Sequence, residues 1–160
     1  MLKIKRVKQI DQELYLFHCN QKKYYRLINV KITKDYLFKD MQGPEGFDEN
    51  DHYINKVFYQ DELVAVIDYQ IGYRYSYLHD NKYVWIGLFL VDESFQRKQI
   101  GTMIINYFIE NYWQDQEVIQ LACLDHNYSG LAFWRYLGFE KIAMSSYENL
   151  KVSVLQKKLR

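Results

Sequence analysis

The sequence predicts an α/β fold in which helices cover both faces of a mixed β-sheet. Strand and helix patterns alternate through the middle of the chain, whereas hairpins stand near both ends, a combination typical of mixed sheets. The 160 residues are 49% hydrophobic and include one proline and seven glycines, so the chain is globular rather than disordered. This length suits a single domain, residues 1–160, with one continuous core.

Hydrophobic periodicity predicts the elements of the first half. Alternating charged and apolar residues mark the first strand, while Leu14, Phe17 and Tyr24 recur at the spacing of one helix face. Thr33 is a suitable N-cap for a second helix, and Gln60-Asp61 is a suitable hairpin turn. The predicted elements are a strand at 3–8, a helix at 11–28, a short helix at 33–41, an acidic loop at 47–53, and strands at 54–59 and 63–72.

The second half contains the longest apolar run and the clearest helix. The run at 83–91 is half the length of a membrane helix and suits a strand buried on both faces. Ile104 and Phe108 then lie on one apolar stripe, and Gly138 has the usual C-terminal position of a later helix. The predicted elements are a polar stretch at 76–82, a strand at 83–91, a helix at 100–112, a strand at 116–124, a helix at 129–137, and strands at 139–144 and 150–155.

Composition argues against several classes of function. The 21 basic and 20 acidic side chains give a net charge of +1, so we expect no nucleic-acid partner. The alternating start of the chain is not a signal peptide, and no apolar run is long enough for a membrane helix. Cys19 and Cys123 are far apart and form no CxxC pair, which favours reduced thiols in a cytoplasmic protein. Cys123, Asp125 and His126 lack a fourth ligand, so we expect no metal and interpret Cys123 as a small buried hydrophobe.

A short basic loop, QRKQIG at 96–101, connects the apolar strand to the clearest helix. A helix N-terminus offers free backbone N–H groups and the positive end of the helix dipole, and both bind anions. Arg97 and Lys98 lie at the predicted helix N-terminus, where the helix dipole is unfavourable for cations. Two cations at such a position suit a site that holds an anion. The loop therefore predicts a phosphorylated ligand.

Two motifs of this chain resemble those of the GNAT superfamily of acyl-CoA N-acetyltransferases. The family's loop is (Gln/Arg)-x-x-Gly-x-(Gly/Ala) after a strand valine, and here Val91 precedes Gln96-Arg97-Lys98-Gln99-Ile100-Gly101 at that spacing. The family's second motif is Asn-x-x-Ala-x-x-Phe-Tyr-x-x-x-Gly-Phe. With Gly for Ala and Trp for Tyr, it is matched by Asn127, Gly130, Phe133, Trp134, Gly138 and Phe139. The resemblance covers about residues 63–139, and the two motifs in this order are fairly specific.

The resemblance implies a mostly antiparallel sheet of about seven strands with about four helices, in which the strands at 83–91 and 116–124 are parallel and splay apart. It implies acetyl-CoA as co-substrate and direct attack on the thioester by a primary amine, with a small molecule favoured over a protein as acceptor. A backbone N–H of the apolar strand would stabilise the oxyanion, no metal would be needed, and a homodimer would be compatible. The residues implied to bind the cofactor are Phe89, Leu90 and Val91 along the pantetheine, Arg97, Lys98, Gln99, Ile100, Gly101 and Thr102 around the pyrophosphate, and Asn127 and Trp134.

Two positions depart from the family pattern. Gln99 replaces the first loop glycine, which is tolerable if its backbone is already helical, because only a positive φ penalises a Cβ. Trp134 replaces a tyrosine that often protonates the leaving thiolate, and an indole N–H cannot give up its proton at useful pH. A thiol has a pKa of about 8.5, so the thiolate can leave unprotonated. We interpret Trp134 as a packing residue.

The general acid and base are left unassigned by the sequence. Where the family often has a glutamate, this chain has Trp85 and Ala122. Asp68 and His79 are candidate bases, although an ordinary strand aspartate and a surface histidine explain them as well. Because no acid or base is evident, a non-catalytic acyl-CoA-binding protein is the alternative function.

The acceptor is predicted only as a class of molecule. Asp68, Tyr69 and Trp85 are the candidate substrate-binding residues. An acidic loop and the tyrosines at 69–77 hint at a cationic small molecule, although a solvated loop and a tyrosine-covered sheet face explain them equally well. The acidic loop residues are Glu45, Asp48, Glu49 and Asp51.

Overall fold

The computed structural model describes all 160 residues of the chain. The strands are β1 (Leu2–Arg6), β2 (His52–Tyr59), β3 (Glu62–Arg74), β4 (Leu78–Val91), β5 (Val118–Leu124), β6 (Glu140–Tyr147) and β7 (Leu150–Lys158). The helices are α1 (Gln12–Cys19), α2 (Lys22–Leu27), α3 (Lys34–Asp40), α4 (Ile100–Asn111) and α5 (Tyr128–Tyr136), with short 3-10 helices at Glu49–Asp51 and Glu93–Phe95. None of these helices has the length and apolar character needed to cross a membrane.

All seven strands belong to one sheet with the order β1-β2-β3-β4-β5-β7-β6. Every neighbouring pair is antiparallel except β4 and β5. That parallel pairing joins residues 83–86 to residues 118–121 and goes no further, so the two strands then separate. The mixed, mostly antiparallel sheet of seven strands and its splayed parallel pair are therefore confirmed. The structure has five α-helices rather than about four.

The additional helix arises because the predicted helix at residues 11–28 is two helices. Asp11 caps the N-terminus of α1, and the chain turns at Gln21 before α2 begins. Gln21 is only 1% exposed, and its Nε2 donates to the carboxylate of Asp92 at 2.8 Å, in the loop that follows β4. This hydrogen bond joins distant parts of the chain and holds Gln21 at the break. Helical periodicity is a local signal and does not reveal such a contact.

Strand β4 is longer and more open than predicted. The polar stretch at 76–82 was expected to lead to the strand, but its residues 78–82 are the start of β4 itself. Residues Val84, Ile86 and Leu90 are buried, whereas Trp85 and Gly87 are at least partly exposed. The expectation of burial on both faces is therefore wrong, because one face of the strand opens into a cavity.

Helices cover both faces of the sheet, as predicted. On one face α4 and α5 pack against the centre of the sheet and bury Ile104, Phe108 and Leu131. On the other face α1, α2 and α3 form a smaller apolar cluster with Leu14 and Leu37 at its centre. The smaller cluster covers only part of its face, and the remaining part is the wall of the cavity.

The smaller cluster encloses a titratable side chain, His18 of α1. It is fully buried, with Nδ1 2.7 Å from the hydroxyl oxygen of Tyr25 and Nε2 without a partner. Burial lowers the pKa of His18 from 6.5 to about 4. Between these pH values the unfolded chain binds a proton that the folded protein does not, so stability falls as the pH drops from about 6.5 to about 4.

We expect His18 to contribute a loss of about 3 kcal/mol in the free energy of unfolding across this window, at about 1.4 kcal/mol per pKa unit. Urea unfolding of the wild type and of His18→Gln, at neutral pH and near pH 4, measures it. Glutamine does not titrate, so the variant should lose about 3 kcal/mol less than the wild type. The same pH dependence in both proteins would contradict the prediction.

Candidate active site

A bulge in β4 marks the point at which β4 and β5 separate. In the pairing with β3, Leu88 lies opposite Asp68 and Ile86 lies opposite Tyr69, so Gly87 is an extra residue. The parallel pairing with β5 also ends at Ile86. Beyond the bulge, β4 has no strand on its β5 side, so its backbone can pair with an extended ligand there.

The space between the separated strands is a narrow cleft of about 90 Å³. Phe89 lines it from β4, and Asn127 and Trp134 line it from the N-cap and the body of α5. The Asp92 N–H bonds to the Val64 carbonyl of β3, so by alternation the backbone of Leu90 also faces β3, and that of Phe89 and Val91 faces the open edge. Leu90 is therefore not placed to pair with the pantetheine through its backbone, and the Val91 carbonyl accepts a hydrogen bond from the Gln96 side chain at 2.9 Å. Three of the residues predicted to bind the cofactor thus meet around one cleft.

The loop that leads into α4 presents unpaired backbone donors. Gln99 is the N-cap of α4, and the first hydrogen bond of the helix runs from Met103 N–H to the Gln99 carbonyl at 3.1 Å. The N–H groups of Ile100, Gly101 and Thr102 have no partner, as the first turn of a helix requires. They provide a site for an anion at the positive end of a helix of 12 residues.

Two residues of the same loop have a left-handed backbone, which favours glycine. Arg97 has a φ of 63°, and Gln99 has a φ of 60°. Gln99 thus does not meet the condition under which a side chain is tolerated without strain, and the glycine preferred in the GNAT motif at this position has a conformational reason. The side chains of Arg97 and Lys98 are exposed beside the free N–H groups. Both cations can therefore reach a phosphate bound there.

We expect Gln99→Gly to stabilise the free protein by about 1 kcal/mol, because relief of a left-handed backbone exceeds the added entropy of the unfolded glycine. Acetyl-CoA affinity should be retained or slightly increased. Arg97→Gly is the matched control, since it removes the same strain together with a cation. It should stabilise the protein similarly but weaken acetyl-CoA binding. Urea unfolding and calorimetric titration measure both effects, and weaker binding by Gln99→Gly would show that the glutamine side chain contacts the ligand.

Close packing explains two glycines of the motifs. A Cβ on Gly101 would lie 3.0 Å from the ring of Phe133, so α4 and α5 approach each other closely there. A Cβ on Gly130 would lie 2.5 Å from Asn127 Nδ2, and Asn127 Oδ1 caps α5 by accepting from the Gly130 N–H at 3.0 Å. Gly130 thus leaves room for the Asn127 side chain to fold over the helix N-terminus in the position it has here.

Trp134 packs within an aromatic group beside the narrow cleft. It is 7% exposed, and its ring centroid lies 5.8 Å from that of Phe89 and 5.0 Å from that of Phe139. Tyr136 is 76% exposed and does not line the cleft. The structure therefore gives Trp134 the packing environment predicted for it, at a position that also borders the cleft.

A much larger cavity, about 610 Å³, opens on the face of the sheet that α1–α3 leave uncovered. Asp68 and Trp85 line it, together with the bulge residue Gly87. Tyr69 does not, because successive strand residues face opposite sides of a sheet. It is 3% exposed in the main core and packs against Phe108, so its predicted role in substrate binding is wrong.

Asp68 and His52 form a hydrogen-bonded pair in the wall of the large cavity. His52 Nε2 lies 2.7 Å from Asp68 Oδ1, while Asp68 Oδ2 makes no hydrogen bond. Burial raises the pKa of the Asp68 carboxyl, and the histidine partly offsets that effect. A Cβ on Gly87 would lie 3.5 Å from Asp68 Oδ1, so the carboxylate lies against the bulge. A carboxylate that is less acidic than usual at this position can accept a proton.

Tyr24 of α2 is a site residue that the sequence did not reveal. It lines both the narrow cleft and the large cavity, at their junction. Burial, followed by the nearby charge of Asp40, raises the pKa of its phenol. The phenol therefore stays protonated and can donate a hydrogen bond. Its sequence signal, the pair Tyr24-Tyr25, was indistinguishable from the apolar face of a helix.

The remaining candidate residues lie away from the two cavities or are inert. His79 stacks on Phe47 with the ring centroids 4.0 Å apart and does not line the large cavity, so it is wrong as a candidate base. Burial raises the pKa of the Cys123 thiol to about 11, as suits a small buried hydrophobe. No cluster of metal-ligating side chains is present. Four acidic loop residues, expected near the acceptor, do not line the large cavity: Glu45, Asp48, Glu49 and Asp51.

Comparisons with known proteins agree with this geometry. A family model described as "Acetyltransferase (GNAT) family" matches residues 6–139. Similar solved structures include an acetyltransferase from Thermus thermophilus, with 19% identity, a TM-score of 0.76, and 99% of this chain and 97% of that chain covered. The aminoglycoside acetyltransferase AAC(6')-Ib in complex with coenzyme A has 12% identity and a TM-score of 0.77, with 99% and 95% covered.

A third similar structure is the acetyl transferase from Salmonella typhimurium that modifies the N-terminal serine of ribosomal protein L7/L12. It has 18% identity and a TM-score of 0.74, with 99% of this chain and 95% of that chain covered. At these identities the three structures establish a shared fold. One of these proteins is named for a small-molecule acceptor, an aminoglycoside, and another modifies a protein, so the fold does not fix the acceptor.

Proposed function

This chain belongs to the GNAT acetyltransferase family, with acetyl-CoA as co-substrate, and from that premise we propose that it acetylates a primary amine of a small molecule by direct attack on the thioester. The observation that carries the proposal is the junction of two cavities at Gly87. The narrow cleft reaches the bulge from one side and the large cavity reaches it from the other. A thioester and an amine could therefore meet there.

The donor would be held by backbone groups of two elements. The open edge of β4, with the backbone of Phe89 and the Val91 N–H, would pair with the pantetheine as an added strand would. The free N–H groups at the start of α4 would bind the pyrophosphate, with the Arg97 and Lys98 side chains beside them. These unpartnered backbone groups support the assignment of this edge and helix start to coenzyme A.

The acceptor would enter through the large cavity and lose a proton there. An ammonium beside Asp68 would transfer its proton to the Asp68–His52 pair and become a nucleophilic amine. The amine nitrogen would then form a bond to the thioester carbon and give up its second proton to water. The carbon–sulfur bond would break, and the sulfur would leave as thiolate. A backbone N–H at the bulge would stabilise the oxyanion.

Tyr24 would assist the departing sulfur as a hydrogen-bond donor. A phenol is already less acidic than a thiol, and burial raises the pKa of Tyr24 further, so the phenol would not transfer its proton to the thiolate. A hydrogen bond stabilises the negative sulfur without this transfer. The thiolate would take its proton from water after it leaves, as expected for a site in which Trp134 replaces the usual acid.

The non-catalytic alternative was suggested by the lack of an evident acid and base. Asp68, His52 and Tyr24 now supply a proton acceptor and a hydrogen-bond donor at the junction of the cavities, which weakens the reason for it. Turnover decides between the two functions. Acetyl-CoA is incubated with a panel of amines, free thiol is measured with a chromogenic disulfide, and acetylated products are identified by mass spectrometry. Tight acetyl-CoA binding with no thiol release above the amine-free rate would favour the non-catalytic protein.

We further propose that residues 1–160 work as one domain in the cytoplasm. The first strand and the last strand belong to the same sheet, which supports a single unit. Both cysteines are free, in keeping with a reducing compartment. Limited proteolysis tests the first statement, since one domain should be cut only at loop tips and ends.

A further inference from the structure

Two carboxylates line the large cavity. Asp68 lines it from β3, and Asp40 lines it from the C-terminal end of α3. Neither carboxylate forms an ion pair with a lysine or an arginine. Lys39, whose side chain also borders the cavity, is exposed and pairs with neither. His52 is the side chain that contacts either carboxylate within ion-pair distance, and it contacts Asp68.

The two carboxylates repel each other in the free protein. Burial raises the pKa of the Asp40 carboxyl, and the charge of Asp68 raises it further. Asp68 is 7% exposed, and its Oδ2 has no partner although the side chain lines the cavity. A nearly buried carboxylate with a free oxygen calls for a cationic partner. Cations beside both groups would relieve the repulsion.

The walls of the cavity are aromatic, which also favours cations. The Tyr147 hydroxyl donates to Asp40 Oδ1 at 3.4 Å, and the ring of Tyr73 packs 5.0 Å from that of Trp85. Aromatic faces attract ammonium groups and cover methylene chains at the same time. The aromatic side chains of the lining are Tyr24, Tyr36, Tyr73, Tyr75, Tyr77, Trp85 and Tyr147.

We propose that the acceptor carries at least two ammonium groups separated by an apolar spacer. One ammonium group lies at Asp68 beside the bulge and is the group that is acetylated. The other lies at Asp40 and fixes the position of the molecule, while the aromatic walls cover the spacer. This inference rests on the proposed function, because it names the acceptor of the same site.

Binding to the free protein tests the acceptor class without any turnover. Diaminoalkanes of increasing length are titrated calorimetrically against aminoalkanes and amino alcohols of equal length. We expect the best diamine to bind at least about tenfold more tightly than its matched amino alcohol, the size of one charge-assisted hydrogen bond. Equal binding of all three series would overturn the inference, as would tighter binding of a peptide with a neutral N-terminal residue.

Variants of α3 assign the second ammonium group. Asp40→Asn should reduce the preference for the diamine over the amino alcohol by about tenfold, in binding and in kcat/KM. Asp35→Asn removes the same charge from an exposed position of the same helix and should keep the wild-type preference. A preference that persists in Asp40→Asn, or is lost equally in Asp35→Asn, would overturn the role of Asp40.

The experiments separate this inference from the proposed function. Acetyl transfer to aminoalkanes and diamines at equal efficiency would leave the acetyltransferase in place and reject the dicationic acceptor. Selective diamine binding without thiol release from acetyl-CoA would reject the transferase function and retain the dication site.

Discussion

Gly101→Asp is expected to abolish acetyl-CoA binding while the protein stays folded. Gly101 lies in the first turn of α4, where three backbone N–H groups have no partner. A carboxylate there would stand among the oxygens of a bound pyrophosphate. Two unit charges about 4 Å apart near a protein surface repel by about 4 kcal/mol, which corresponds to roughly a thousandfold loss of affinity. The loss is measured as the disappearance of the rise in melting temperature that acetyl-CoA causes.

Gly101→Ala is the control, because it adds the Cβ without the charge. That Cβ would lie 3.0 Å from the ring of Phe133, so both variants share a packing cost in the contact between α4 and α5. If the alanine variant loses binding as completely as the aspartate variant, packing and not charge is responsible. If a folded Gly101→Asp protein binds acetyl-CoA like the wild type, the start of α4 is not the phosphate site.

The proposed donor site could be recognised in the sequence because most of its residues, at 89–102, are contiguous. A helix start and the strand before it form one local unit, so the spacing from Val91 to Gly101 already fixes their geometry. The backbone conformation was harder to predict. Gln99 has a left-handed backbone although it is not glycine, and only the folded loop explains how such strain is tolerated.

The acceptor side could not be predicted in the same way, because five elements converge on it. Tyr24, Asp40, His52, Asp68 and Tyr147 come from α2, α3, β2, β3 and β6. No spacing along the chain connects such residues, and each has an ordinary explanation when viewed alone. The pairing of β2 with β3 brings His52 close to Asp68, and this register depends on the whole hairpin.

Two errors in the predicted elements also have physical causes. Residues 78–82 are too polar to suggest a strand, but they pair with the end of β3 in a hairpin that extends beyond the core. The helix at 11–28 keeps its apolar period across the break at Gln21, because α1 and α2 pack on the same face of the sheet. Periodicity indicates which face of a segment is buried. It cannot reveal a turn when the residues before and after the turn bury the same face.

Asp68→Asn is expected to lower kcat with the preferred amine by roughly 10²- to 10⁴-fold, the usual contribution of a general base. Asparagine has the same shape and can still hydrogen-bond His52, but it accepts no proton at useful pH. Acetyl-CoA binding should be unchanged, because Asp68 is not among the residues that line the narrow cleft. Rates at saturating amine give kcat, which the loss of a base lowers. The loss of an ammonium-binding group would instead raise KM for the amine.

The pH dependence of the rate provides the decisive test of Asp68. Burial raises the pKa of this carboxyl, so the wild-type rate should rise with pH through a value above the ordinary range of an aspartate. The amine also becomes more reactive as it loses its proton, but it does so identically in both proteins. The ratio of wild-type to variant rates therefore isolates the carboxyl, and it should fall as the pH drops. A ratio near one at every pH would place the base elsewhere and leave Asp68 with a role in binding alone.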